Sequence, residues 1–258
     1  MTNKTFATKI IVILLVLVSF VQQAKSQNSE KKKGYTFGSV FTVTTKGMST
    51  FPNLTLGKPA ALFDFTLGDD KFRFEPTLRF GLDGKPWTFI FWLRYDLVKS
   101  DKFQFRVGAH PAFSFKTISI TDNGVSSEIL RSQQFLAGEL SPVFNITKNI
   151  SINPYYLYAN GVTTGAVKNS NFISLRTNFS RIGLSEKYFM RLMAQAYYLQ
   201  MDANDGYYVN STLSLNRQNF PLSISTTMNK KLKSNIAGDD FLWNISISYS
   251  FGGKYTKL

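Results

Sequence analysis

The chain has 258 residues, with 30 basic against 16 acidic side chains and a formal charge of +14. It contains no cysteine, which excludes disulfides, thiolate metal sites, a cysteine nucleophile and a lipid-modified N-terminal cysteine. A strongly basic exported chain suits anionic lipid, anionic solutes or nucleic acid, and the placement of its charges decides among them.

The N-terminus carries a targeting pattern. Lys4 and Lys9 precede an unbroken apolar run over 10–18, extended by Phe20 and Val21, and the small residues Ala24 and Ser26 flank Lys25. The run is shorter than the roughly 20 residues a membrane helix needs, so 1–26 is expected to be a cleaved signal peptide. Lys4, Lys9 and Lys25 leave with it, and the mature chain keeps an excess of +11 from the 30 basic and 16 acidic residues. A polar tail over 27–34 follows, expected in the periplasm. Charged or polar residues interrupt every later apolar run, so a mature chain in a membrane must cross it as a closed barrel.

From Tyr35 onward the dominant pattern is period-two alternation, with aromatics at the apolar positions, which is the signature of strands. Phe72, Phe74, Leu78, Phe80 and Leu82 share one face against Lys71, Arg73, Glu75, Thr77 and Arg79. Trp87, Phe89, Phe91, Leu93 and Tyr95 oppose Thr88, Ile90, Trp92 and Arg94. Phe103, Phe105, Val107, Phe113 and Phe115 oppose Gln104, Arg106, His110, Ser114 and Lys116. At the end of the chain Phe241, Trp243, Ile245, Ile247, Tyr249 and Phe251 oppose Asn244, Ser246, Ser248 and Ser250. Several of these runs reach about ten residues, the length of a tilted membrane strand of about 9–11.

Strands are expected over 35–45, 60–67, 71–82, 87–97, 102–117, 129–145, 149–159, 171–182, 188–201, 206–216, 221–229 and 240–251. That is about twelve, with ten and fourteen as the neighbouring even counts. Short polar turns, near 68–70, 99–101, 147–149, 185–187 and 217–219, alternate with a second set of links. The second set is long over 46–58, 118–128, 161–170 and 229–240, and short around 83–86 and 203–205. Short periplasmic turns, longer external loops and an even strand number place both termini in the periplasm. On this topology Trp87, Tyr156, Tyr158, Tyr198, Tyr207 and Trp243 form an outer aromatic girdle, and Tyr95, Phe103, Tyr188, Tyr249 and Phe251 an inner one.

Over the whole mature chain these features resemble bacterial outer-membrane β-barrel proteins of the porin-like kind. The last strand, ending in Phe251, also resembles their C-terminal assembly signal, although 252–258 follow it. The resemblance implies an all-β fold, a transmembrane antiparallel up-and-down β-barrel over 35–258, located in the bacterial outer membrane.

The inward face is expected to carry nine basic residues, Lys71, Arg73, Arg79, Arg94, Arg106, Lys116, Arg131, Arg176 and Arg191, against Asp64, Glu75 and Glu139. Arg73, Arg94 and Arg106 fall on consecutive strands at similar height and should form a basic patch beside Glu139. The expected pore-lining set is Arg73, Glu75, Arg79, Arg94, Arg106, His110, Arg131, Glu139, Arg176 and Arg191. Such a wall attracts anions, so the expected activity is a small channel favouring anionic solutes. At this width the same side chains can instead close the lumen, which would leave a structural or accessory barrel for an envelope protein partner. The expected partners are outer-membrane lipid and then either small anionic solutes or that protein.

His110 is the only histidine. Ser114 is four residues along the same strand, roughly 13 Å away, so no nucleophile–base pair is expected and the chain reads as a non-enzyme. No metal-ligand spacing or cofactor motif is visible. The basic residues alternate with outward aromatics instead of forming one exposed stripe, so no nucleic-acid partner is expected.

Overall fold

The computed structural model describes residues 34–122 and 125–256. The expected signal peptide, residues 27–33 of the tail, and Leu258 lie outside the described residues. The described chain forms β1 (Gly34–Thr44), β2 (Ala60–Gly68), β3 (Phe72–Gly81), β4 (Pro86–Lys99), β5 (Phe103–Asp122), β6 (Val125–Asn145), β7 (Ile150–Gly161), β8 (Asn169–Gly183), β9 (Tyr188–Met201), β10 (Asn204–Arg217), β11 (Leu222–Ser234) and β12 (Phe241–Thr256), with one short 3-10 helix at Pro52–Leu54. Each strand lies beside its sequence neighbours, and β12 beside β1 closes the ring. The even count puts the start of β1 and the end of β12 at one end of the barrel, here the termini end.

Closure is visible at the seam. Thr42 Oγ1 and Ser248 Oγ lie 2.8 Å apart, and the Thr45 amide donates to Ile245 O at 2.9 Å. Outside, Phe251, Phe41, Phe63, Phe80, Phe89 and Phe115 contact one another in sequence at centroid distances of 5.1–6.0 Å across β12 and β1 to β5. The aromatic ladder therefore crosses the seam as it crosses ordinary strand pairs.

The alternation divides the side chains as its period requires. On β12, Trp243, Ile245, Ile247 and Tyr249 are 52%, 45%, 55% and 45% exposed, while Asn244 and Ser246 are 7% and 8% exposed. On this strand the apolar side chains face out and the polar ones face in, the arrangement lipid demands. No helix among the described residues is long and apolar enough to cross a membrane.

Three features differ from the sequence expectation. The link expected over 118–128 is instead strand: β5 and β6 pair from Phe103↔Phe144 to Asp122↔Val125. Adjacent strands stop short of it, at Thr88↔Ser114 and Phe135↔Gly161, so a two-stranded ribbon stands beyond the rim. The alternating run Thr117-Ile118-Ser119 suits a strand, and Asn123-Gly124 in the sequence is a favoured two-residue hairpin pair. Likewise β11 continues through Lys230↔Val209 and Lys231↔Tyr208 to Ser234↔Gly206, which shrinks the link expected over 229–240 to 235–240. Finally, Trp87 does not join the outer girdle. A register shift between Arg79 and Phe80 turns it inward, where it is 2% exposed and donates from Nε1 to Leu54 O at 2.8 Å.

Ile247 lies mid-strand on the lipid face of β12. Ile247→Arg is expected to destabilise the folded barrel by about 2–4 kcal/mol, and Ile247→Leu by far less. Urea titration in phospholipid vesicles measures both.

Candidate functional site: the lumen

The inward faces of β3 to β7 carry a charge network near the termini end. Arg73 donates from Nη1 and Nη2 to the two carboxylate oxygens of Asp96, each at 3.0 Å, and from Nε to Glu75 Oε1 at 3.0 Å. Arg106 Nε donates to Asp96 Oδ1 at 2.8 Å. Arg94 bonds Glu75 through Nη1 and Glu139 through Nε, the latter at 2.6 Å. Tyr155 Oη donates to Glu139 Oε2 at 2.7 Å. Asp96 and Glu139 are 2% and 3% exposed, so their desolvation is offset only by these partners.

The expected basic patch is thus matched charge for charge, with Arg73, Arg94 and Arg106 facing Glu75, Asp96 and Glu139. Asp96 is the member absent from the expected inward set. It lies two residues beyond Arg94 on the same strand face, so the alternation itself contained the signal.

The remaining expected residues separate. Lys71 precedes β3 and is exposed, as is Lys116 on the projecting ribbon. Arg131 donates to Thr164 O at 2.9 Å, which ties the ribbon to the β7–β8 link. Arg191 is exposed beside Phe189, 5.4 Å from its ring centroid. Arg79 and Arg176 reach mid-lumen. Neither makes a hydrogen bond or ion pair among the described residues, and both Nε atoms are buried without a partner. Arg176 lies over the Tyr155 ring at 4.5 Å and Arg79 over Trp87 at 5.5 Å.

Arg79, Arg94, His110 and Arg176 line one lumenal cavity of about 390 Å3. Its far end is covered by the β1–β2 link, which supplies Met48, Ser49, Thr50, Phe51 and Leu54 to the lining. That link is built to turn inward. Gly47 donates to Lys58 O and accepts from Leu56 and Gly57 at 2.8–3.1 Å, closing a tight loop. A Cβ on Gly47 would lie 3.0 Å from the Trp87 ring and 3.2 Å from Ala60 Cβ, so only glycine passes without displacing them. At its foot, the hydrogen bond from Lys58 holds the Asp83 carboxyl below its ordinary pKa. Phe51 stacks on Phe172 at 5.9 Å and 22°.

An apolar cluster fills the β7–β10 side of the lumen and supplies part of the cavity lining. Rings of Phe172, Tyr197 and Tyr208 follow one another at 5.1 and 4.9 Å, and Leu199 is fully buried. Ile236 of the β11–β12 link packs into the same cluster. The polar ends of these rings are satisfied: Tyr197 Oη donates to Asn229 Oδ1 at 2.9 Å and Tyr208 Oη to Ser234 Oγ at 2.6 Å. The wall of β10 to β12 carries paired hydroxyls and amides such as Thr212 and Thr227 at 3.0 Å, and at its far end Lys231, which is ion-paired with Asp240 at 2.5 Å.

No protein-family model and no curated protein matches the chain. Solved structures do. A KdgM porin in complex with disordered oligogalacturonate superposes with a TM-score of 0.51 at 10% identity, over 83% of this chain and 99% of that one. An outer-membrane channel from Pseudomonas putida F1 matches with a TM-score of 0.47 at 11% identity, over 88% and 100%. LpxR from Salmonella typhimurium matches with a TM-score of 0.49 at 10% identity, over 83% and 99%. At these identities the likeness is one of fold. The chain has the fold of bacterial outer-membrane β-barrels, here closed by twelve strands.

Removing Asp96 strands both Arg73 and Arg106 in the lumen. Asp96→Ala is expected to cost about 3–5 kcal/mol, read as a lower urea midpoint in vesicles. Glu186→Ala, on an exposed turn, is expected to leave the midpoint unchanged.

Proposed function

We propose that the barrel is a narrow outer-membrane channel for small anionic solutes and is not an enzyme. One observation carries this reading: Arg79 and Arg176 face a lumenal cavity without a hydrogen-bonded carboxylate among the described residues, while Arg73, Arg94 and Arg106 are each held by one. In mid-lumen these two guanidiniums supply positive charge that no hydrogen-bonded carboxylate offsets. A cationic group in a low-dielectric wall focuses its field on the water beside it.

The non-enzymatic part rests on His110. It packs edge-on against Trp92 at a centroid distance of 4.0 Å, and no carboxylate hydrogen-bonds it among the described residues. A general base needs an orienting partner of that kind.

The β1–β2 link then acts as the gate. With the termini end in the periplasm, the Phe51–Phe172 stack closes the lumen from the outside. Such a ring pair contributes about 0.5–1.5 kcal/mol, small enough to break thermally. A second reading, the closed accessory barrel bound to an envelope protein, is favoured by the apolar cluster that fills the β7–β10 side.

In planar bilayers the purified protein is expected to pass chloride in preference to potassium. Phe51→Ala is expected to raise the open fraction about two- to tenfold, the factor that this ring-pair energy corresponds to. Absence of any conductance, in the parent and in Phe51→Ala, together with a stoichiometric partner in native extracts, would establish the accessory reading instead.

Orientation is checked separately. A cysteine replacing Ala237, in the 235–240 link, is expected to react with an impermeant thiol reagent on intact cells. One replacing Glu186 is expected to react only after the outer membrane is opened. The opposite pattern would place the gate in the periplasm.

A further inference from the structure

We infer that the mid-lumen cavity is a binding site for a small carboxylate with an aromatic or otherwise apolar body. The inference deepens the channel reading and rests on it for the ligand's route of entry.

The cavity has two unlike sides. On β3 to β5, Arg79, Thr88 and Ser114 lie in one cross-strand row, since Arg79 pairs with Thr88 and Thr88 with Ser114. On β7 to β9 the lining is chiefly apolar, with Leu157, Phe172 and Met201. Arg176 stands at the edge of the apolar side, its guanidinium laid over Tyr155 at 4.5 Å.

Four polar atoms at this site are buried and have no partner: Arg79 Nε, Thr88 Oγ1, His110 Nδ1 and Arg176 Nε. Thr88 and His110 are only 7% and 8% exposed. Leaving such groups unpaired is unfavourable, and native structures rarely do so without a functional reason. Two are guanidinium donors, for which a carboxylate is the matched acceptor. Elsewhere in the same lumen every guanidinium of the charge network already holds a carboxylate, so this pair is set apart by position and not by composition.

The rest of the cavity selects the body attached to that carboxylate. Trp92, Tyr155, Phe172 and Phe51 present ring faces or edges, and an aromatic ring packs against these at little polar cost. A polyhydroxylated acid would bring several hydroxyls against Leu157, Phe172 and Met201, where they lose their hydrogen bonds to water without replacement. A bare inorganic anion would leave the apolar side unfilled. The volume of about 390 Å3 falls in the lower part of the usual small-molecule range of about 300–1,000 Å3.

The test is calorimetric titration of the full barrel in detergent micelles with benzoate, acetate and galacturonate. Benzoate is expected to bind saturably and at least tenfold more tightly than either of the others. Arg79→Met and Arg176→Met are each expected to weaken benzoate binding tenfold or more. Retained gel mobility of the unheated barrel, with an unchanged urea midpoint, shows that the loss is not one of folding. Arg191→Met, outside the cavity, is expected to leave binding as in the parent. Equal affinity for acetate and benzoate, tighter binding of galacturonate, or benzoate binding insensitive to both arginine variants would overturn the inference. Conductance on the same preparation separates the two readings. Anion conduction without benzoate binding ends this inference and leaves the channel. Benzoate binding without conduction ends the channel and leaves the site.

Discussion

Every strand of this chain must hydrogen-bond on both of its edges, because lipid offers a backbone amide or carbonyl nothing in exchange. The β1–β12 seam is where that constraint is met or lost. Thr42, Thr45, Ile245 and Ser248 join it by hydrogen bonds, and the phenylalanine ladder from Phe251 to Phe41 packs across it. Closure removes the sheet edges that an open sheet would expose. It also creates an enclosed lumen, and the lumen is where the chain has placed its chemistry.

The interior is not uniform. One wall pairs three arginines with three carboxylates and fixes them further through Tyr155. The β10–β12 wall is mostly serine, threonine and asparagine, with Lys231 at its far end paired to Asp240. A matched network has little net charge to offer a solute. It instead rigidifies the sheet near the termini end, since each member is held by at least one charged partner of opposite sign. Arg79 and Arg176 sit higher in the lumen, beside apolar surface, where an unpaired cation acts over a longer distance than it would in bulk water.

The far end is governed by packing instead of charge. The β1–β2 link enters the lumen because three contacts agree: the Gly47 loop closure, the Trp87 hydrogen bond to Leu54 O, and the Phe51 stack on Phe172. The β11–β12 link meets it, with Ile236 in the apolar cluster and Gly238 against Pro52. Two of these contacts are backbone-directed and hold the link in register. The third is a single pair of rings, and it is the one that lies over the cavity.

Residue alternation determined the class of the fold, a strand count of about twelve, the division between lipid and lumen, and the inward position of Arg73, Arg79, Arg94, His110, Glu139 and Arg176. A period of two leaves no freedom once one face must meet lipid, so these positions are legible in the sequence. Asp96 was legible in the same way, two residues past Arg94. The rest depended on contacts between distant segments. The turn of Trp87 follows from a register shift opposite Phe80, which no local pattern marks. The inward fold of Phe51 follows from a surface on β8, more than a hundred residues away in the chain. Which arginines are neutralised follows mostly from strand register: Arg73 and Arg106 meet Asp96, and Arg94 meets Glu75 and Glu139, across the sheet, while Arg73 and Glu75 pair along one strand.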